Sequence, residues 1–287
     1  MNPALHVSVL HGGPCSEHDI SVVTARRVIA ALREGGHRAD PVYVDQVGRW
    51  HFSGAGVGAG QLVGDGVLLP EALTKLRQIG ADVAFLGFHG TYGEDGKIQA
   101  ALELSQVPYT CSATTASAVA MDKPMARRVL QTWGLDVAAA IELPTRRCSD
   151  QGVAAVAAAV VAELGLPVVV KVPEGGSSVG IEIPATEQDL ADTLERLSDG
   201  VEFLLCEAFI AGVELTASVL VDSDGALLCL PVVEIAPKGD RFFDYEAKYD
   251  AELTDEIVPA RIPPEIEREC REIGALAHRA LGCRAVS

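Results

Sequence analysis

Over the first hundred or so residues, short apolar runs alternate with segments of helical period, and this alternation constrains the fold more than any other feature. LHVSVL (5–10), RADPVYVD (38–45) and DVAFLGFHG (82–90) read as strands, while ISVVTARRVIAALREGG (20–36) and PEALTKLRQIG (70–80) read as helices closed by glycine. Such alternation predicts an open parallel α/β sheet. Ser16 and Asp19, three residues apart, match a capping box at the start of the first helix. In an open sheet of this kind ligands collect beyond the carboxyl ends of the strands, which places HGGPCSEHD (11–19) and HGTYGEDG (89–96) at the site.

After MDKPMARRVLQTWG (121–134), a helix, the pattern becomes mixed. A strand near AAIELP, an Ala-rich helix, the strand PVVVKVP (167–173), a GGSSVG turn, IEIP and the helix TEQDLADTLERLSD follow. This is the pattern of a small α+β unit. FLLCEAFI, VELTASVLVD and ALLCLPVVEIA are three further strands, with DSDG (222–225) as a hairpin turn between the last two. PPEIERECREIGALAHRALG then sets Ile266, Cys270, Ile273, Leu276 and Leu281 on one apolar helical face, and CRAVS begins another strand.

The 287 residues suffice for two or three modest domains. Lys and Arg total 23 against 40 Asp and Glu, a net charge of -17, and no basic stretch alternates with aromatics, so no nucleic-acid partner is expected. In so acidic a chain an anionic substrate must be held by a few placed lysines and backbone N–H groups. Seven cysteines without CxxC spacing suit reduced thiols in a cytoplasmic protein. The start lacks the basic and apolar regions of a signal peptide. The longest apolar run, 153–162, falls short of the about 20 residues that span a bilayer, so no membrane segment is expected.

Three local patterns bear on chemistry. GAGVGA (54–59) satisfies a loose dinucleotide pattern, but no clear helix follows it, and a connecting loop is the better reading. EGGSSVG (174–180) joins two strands rather than a strand and a helix, which excludes a Walker loop. Its glycines and hydroxyls could still close over phosphates, with Lys171 supplying a point charge; an ordinary Gly/Ser hairpin with a solvated lysine fits equally well. Glu207 and Glu214 bracket a strand end whose backbone at Ala208, Phe209 and Ile210 could read an adenine edge.

In their order, HGGPCSEHDIS, HGTYGEDGKIQAALEL, PYTCSATTASAVAMDK, LGLPVVVKVPEGGSSVGI, CEAFIAGVEL and FFDYEAKYD resemble the D-alanine:D-alanine ligases of the ATP-grasp superfamily, across nearly the whole chain. The resemblance implies an N-terminal α/β domain (1–119), a central ATP-grasp subdomain (120–207) and a C-terminal ATP-grasp subdomain (208–287), the last incomplete. It implies a cytoplasmic ligase of peptidoglycan synthesis that takes ATP and D-alanine and works with Mg²⁺ or Mn²⁺. Such enzymes are commonly dimeric, so a homodimer is an expectation.

Residue by residue, Lys123 and Lys171 match the family's phosphate-contacting lysines, Glu207 and Glu214 its adenine and ribose contacts, and Ala208 to Ile210 its hinge-like strand. Phe242 resembles a packing residue near the base, and Lys248 one that approaches the γ-phosphate. Glu17 resembles the residue that holds the first D-alanine's ammonium, His89 one near its carboxylate, and Ser177 and Tyr249 the partners that link Glu17 in a hydrogen-bonded triad. Taken alone, Glu17 is also a first-turn helix acid and His89 a loop imidazole. The intact DYEAKYD favours D-alanine as second substrate.

The family's metal ligands, an Asp, a Glu and an Asn on strands after the last helix, are expected beyond residue 287, and none of them is present in this chain. Two readings follow from the sequence. One is an active ligase whose sequence continues past Ser287, favoured by the intact upstream motifs; the other is a catalytically inactive nucleotide- or D-alanine-binding protein.

Overall fold

In a computed structural model of the chain, residues 3–52, 65–173, 180–239 and 252–287 are described. The chain forms two compact units, Met1–Ala118 with Gly282–Val286, and Val119–Leu281 with Ser287.

In the first unit, β1 (His6–Gly12) lies between β2 (Arg38–Val44) and β4 (Val83–Leu86), parallel to both. β1 is buried on both faces, with Val7 and Val9 on one and Leu10 on the other, and the polar Ser8 and His11 are buried with them. Val7 and Val9 pack with Ala25 and Ile29 of α1 (His18–Glu34). On the opposite face Leu10 packs with Ala72 and Leu76 of α2 (Leu69–Ile79) and Ile98 and Leu102 of α3 (Lys97–Leu104).

Two local expectations fail here. A short antiparallel strand, β3 (Trp50–Phe52), extends the sheet on the far side of β2. Its three residues are too few to show a period, and its position depends on burying Trp50. The expected capping box is absent as well. The N-cap of α1 is Glu17, one residue after Ser16, and its side chain makes no capping bond.

After α4 (Thr114–Met121), the second unit opens with α5 (Lys123–Thr132), capped by Asp122, whose side chain accepts from Met125 N–H at 2.9 Å. An antiparallel sheet then runs in the order β5 (Ala140–Pro144), β8 (Phe203–Ala208), β6 (Val168–Lys171), β7 (Ile181–Glu182). Leu143, Val168, Val170, Leu204 and Cys206 pack on α7 (Val153–Leu164) and α8 (Glu187–Leu197). Side chains alternate across a sheet, so Val169, Lys171, Leu205 and Glu207 point to the other face. The short α6 (Arg146–Gln151) leads into α7, whose alanines let it approach closely.

The later strands are more broken than the sequence suggests. VELTASVLVD divides into β9 (Glu214–Thr216) and β10 (Val219–Val221), and ALLCLPVVEIA into β11 (Leu227–Cys229) and β12 (Val233–Pro237). β10 and β11 form a hairpin through the DSDG turn, where Asp222 Oδ1 accepts from the N–H groups of Asp224 (2.9 Å) and Ala226 (2.8 Å). β12 pairs instead with β9 and with β13 (Thr254–Ile257). The break falls at Pro231, which has no N–H to continue the ladder after Leu230 donates to Ser218 O at 2.9 Å.

α9 (Pro264–Ala280) covers only part of the face expected of it: Cys270, Leu276 and Leu281 are partly covered, whereas Ile266 and Ile273 are 39% and 47% exposed, and Gly274 and His278 also lie on the covered side. Gly274 lets the helix come close to the start of the hairpin: a Cβ there would sit 3.0 Å from the Ala217 Cβ, just before β10. Ser287 exchanges backbone hydrogen bonds with Val219 at 2.8 and 3.0 Å, consistent with CRAVS as the start of a strand.

Candidate functional site

In the first unit the candidate site lies beyond the ends of β1 and β4. A Cβ on Gly12 would fall 2.2 Å from the Val44 carbonyl, so only glycine lets the chain leave β1 as it does. Gly12 N–H donates to Ser21 Oγ (2.8 Å), whose hydroxyl donates to the Gly87 carbonyl (2.7 Å), tying the two strand ends to α1. His18 joins the Gly13 carbonyl (2.7 Å) to the Tyr43 hydroxyl (3.0 Å) and anchors the intervening loop to β2.

That scaffold sets Glu17 at the N-terminus of α1, buried, with its carboxylate against the backbone of Gly90. The helix dipole favours a negative charge at this position. His89 pairs through Nε2 with Thr24 Oγ1 at 2.8 Å, and its Nδ1 lies 3.9 Å from Glu94. Glu94 in turn accepts from Gly90 N–H at 2.9 Å. Cys15 donates to the His89 carbonyl; burial pushes its thiol pKa up, which makes it a hydrogen-bond donor here rather than a nucleophile. Glu17 and His89 are thus brought together by one loop and one strand end.

In the second unit Lys171 stands at the end of β6 on the face of the sheet away from α7 and α8. Its ammonium contacts Glu207 Oε2 across the β6–β8 pair. Arg127, from α5, donates to Glu207 Oε1 at 2.6 Å and to the Ala138 carbonyl. Lys171, Glu207, Ala208, Phe209, Ile210 and Glu214 all line one cavity of about 310 Å³.

Ala208 N–H donates to Ala139 O (2.8 Å) and Phe209 N–H to Pro167 O (3.3 Å), while the Ile210 N–H makes no hydrogen bond among the described residues. Glu214 keeps an exposed surface. Crowding by the surrounding protein nevertheless raises its carboxyl pKa, with the Lys171 ammonium pulling the other way. Lys123, at the start of α5, donates from its backbone (3.3 Å) and ammonium (3.5 Å) to the Pro173 carbonyl, at the root of the Gly-rich segment.

Ser177, Phe242, Lys248 and Tyr249, and the GAGVGA pattern, lie outside the described residues. Arg127 was missed by sequence reasoning; its only local signal is its place one helical turn after Lys123. Among the described residues no three His, Cys, Asp or Glu side chains come together to hold a metal ion.

The class these features define is the ATP-grasp ligase: a parallel α/β unit with an acid at a helix N-terminus, then an antiparallel sheet whose open face carries a lysine, a glutamate and a purine-sized cavity. Two family models match the chain, "D-ala D-ala ligase N-terminus" over residues 6–112 and "D-ala D-ala ligase C-terminus" over residues 129–287. A D-alanine--D-alanine ligase from Desulforudis audaxviator is 38% identical, across 97% of this chain and 80% of its own. D-alanine--D-alanine ligase A from Brucella melitensis is 35% identical, across 99% and 83%.

Among solved structures, the VanG D-Ala:D-Ser ligase of Enterococcus faecalis has a TM-score of 0.78 at 26% identity, covering 98% of this chain and 84% of its own. The Bacillus anthracis D-alanine--D-alanine ligase complexed with ATP has a TM-score of 0.71 at 27% identity, across 99% and 80%. The chain belongs to the D-alanine:D-alanine ligase family.

Proposed function

We propose that this protein joins two D-alanines into D-alanyl-D-alanine at the expense of ATP, by way of a D-alanyl phosphate. The observation that carries the reading is the cavity at the ends of β6 and β8, where Lys171 and Glu207 meet beside a backbone N–H with no partner among the described residues. In this reading Glu207 accepts from the exocyclic amine of adenine, Ala208 to Ile210 meet the base edge, and Glu214 takes the ribose hydroxyls. Lys171 and Lys123 neutralise phosphate charge. Glu17 holds the ammonium of the first D-alanine and His89 faces its carboxylate.

A carboxylate is a poor electrophile, so the first D-alanine's carboxylate oxygen attacks the γ-phosphorus, the bond to the β-phosphate oxygen breaks, and ADP leaves. Phosphoryl transfer of this kind depends on positioning and on neutralising charge, and both lysines serve those ends. The second D-alanine's amine, having lost its proton, then attacks the acyl carbon, and inorganic phosphate departs from the tetrahedral intermediate. ATP would enter with a divalent cation, Mg²⁺ or Mn²⁺, which would add charge neutralisation; among the described residues no three His, Cys, Asp or Glu side chains gather to hold it. Ser177, Tyr249 and Lys248 are assigned to the closed site by family resemblance.

The substrates are those of the cytoplasm, where we place the protein. Among the described residues no helix is long and apolar enough to cross a membrane. A homodimer is expected from the family, and the net charge of -17 disfavours nucleic acid. Paired substitutions test the assignment: Lys171→Ala weakens ATP and Glu17→Ala weakens D-alanine, each measured by equilibrium binding. Loss of the opposite ligand in either variant contradicts the roles given.

A further inference from the structure

Glu207 is gripped from two sides. Lys171 takes Oε2, and Arg127 takes Oε1 at 2.6 Å with one arm of its guanidinium while the other arm donates to the Ala138 carbonyl. The side chains of Arg127 and Glu207 are 16% and 10% exposed, so the contact is shielded from water. Ala138 and Glu207 line the cavity of about 310 Å³; Arg127 touches both but is not among its lining residues. A planar fork can meet a carboxylate and a carbonyl at once and hold them at a fixed separation, which a lysine ammonium cannot do with the same geometry.

Without Arg127 the Glu207 carboxylate would have one cation partner, Lys171, and its rotamer would follow that flexible side chain. With Arg127 the carboxylate is fixed to α5 and to the segment that leads into β5, and an acceptor is presented to the cavity in one orientation. A 6-aminopurine offers an N–H to such an acceptor. A 6-oxopurine sets its own lone pair against it, and the resulting mismatch leaves a buried polar group unpaired.

We infer that Arg127 is a positioning residue for nucleobase selection: by fixing Glu207 against Ala138, it makes the site discriminate adenine from 6-oxopurine nucleotides. The inference rests on the reading of Glu207 as the base contact. It does not involve Arg127 touching the nucleotide.

The test is the ratio of dissociation constants for ATP and ITP, measured on the full chain by calorimetry without D-alanine, for wild type, Arg127→Ala, Arg127→Lys and Glu207→Ala. Wild type favours ATP by about tenfold or more, the scale of one charge-assisted hydrogen bond, and Arg127→Ala narrows the ratio to within about threefold. Arg127→Lys recovers part of the preference, because an ammonium can hold the carboxylate but not the carbonyl as well. A general loss of packing would weaken both nucleotides together and leave the ratio unchanged.

Retention of the wild-type ratio in folded Arg127→Ala overturns the inference. If that variant does not fold, Arg127→Lys decides in its place: an undiminished ratio overturns the inference and a partial one supports it. Glu207→Ala separates the two levels. If Glu207→Ala, which has no acceptor, keeps the ATP preference, the reading of Glu207 as base contact falls; if it loses the preference while Arg127→Ala keeps it, only the role of Arg127 falls.

Discussion

Gly90 and Glu17 fill complementary space: a Cβ on Gly90 would lie 2.0 Å from Glu17 Oε2. The buried carboxylate at the N-terminus of α1 therefore keeps its place because the residue opposite has no side chain. Gly90 also has φ of +65°, a region where an L side chain costs about 1 kcal/mol or more. Gly90→Ala is expected to displace Glu17 and raise the KM for the first D-alanine by about tenfold, the loss of one charge-assisted contact, with ATP binding unchanged. Initial-rate kinetics with each substrate varied in turn check this, and an unchanged D-alanine KM would contradict it.

Lys171 is the cation nearest Glu207 on the open face of the sheet. Replacing it with Ala removes a phosphate partner and one of the two cations on Glu207. ATP affinity is expected to fall by about 10- to 100-fold, as for a lost charge-assisted hydrogen bond in a partly shielded site. Calorimetric titration of ATP into Lys171→Ala reads this directly, and wild-type affinity would remove Lys171 from the nucleotide site.

His11 makes the first unit sensitive to acid. It is 0% exposed, its Nδ1 donates to the Val9 carbonyl at 3.1 Å, and its Nε2 has no hydrogen-bond partner among the described residues. Burial lowers its pKa most strongly; the Val9 bond works against this, and His18 and Arg26 add to the lowering. Since the folded pKa lies below the unfolded one, the stabilising effect of neutral His11 is complete above about pH 6.5 and is lost as pH falls through the folded pKa. His11→Asn, which keeps a donor for Val9, should flatten the fall in stability below pH 6.5. His278, also lowered by burial first and by Arg279 second, leaves some slope in place. Thermal melts from pH 7.5 to 5 compare the two proteins, and identical slopes would contradict the assignment.

Trp50, fully buried, donates its indole N–H to the Tyr92 hydroxyl at 3.1 Å. Tyr92→Phe keeps the ring stacked edge-on against Phe88 but leaves the indole N–H unpaired. The cost is expected to be about 1–3 kcal/mol of stability, the penalty for one unsatisfied buried donor. Denaturant unfolding measures it.

Much of this architecture was legible because its causes are local. The valine-rich run of β1 and the helical period of α1, α2 and α8 are properties of neighbouring residues, as is the DSDG turn. Three features were not legible. β3 buries one tryptophan, the division of the later strands depends on which partner receives each side of Pro231, and the exposure of Ile266 and Ile273 goes with the close approach of Gly274 to Ala217. The candidate site divides the same way. Glu17, His89, Lys171 and Glu207 stand in recognisable local patterns, whereas Arg127 reaches Glu207 across 80 residues of sequence and Gly90 matters only through what it leaves room for.

The most direct test of the ligase assignment is a product measurement on the intact native protein supplied with ATP, Mg²⁺ and D-alanine. Phosphate release and D-alanyl-D-alanine, followed together by a coupled assay and mass spectrometry, should appear one for one and depend on D-alanine. Binding of ATP and D-alanine without D-alanine-dependent phosphate or dipeptide would contradict the assignment.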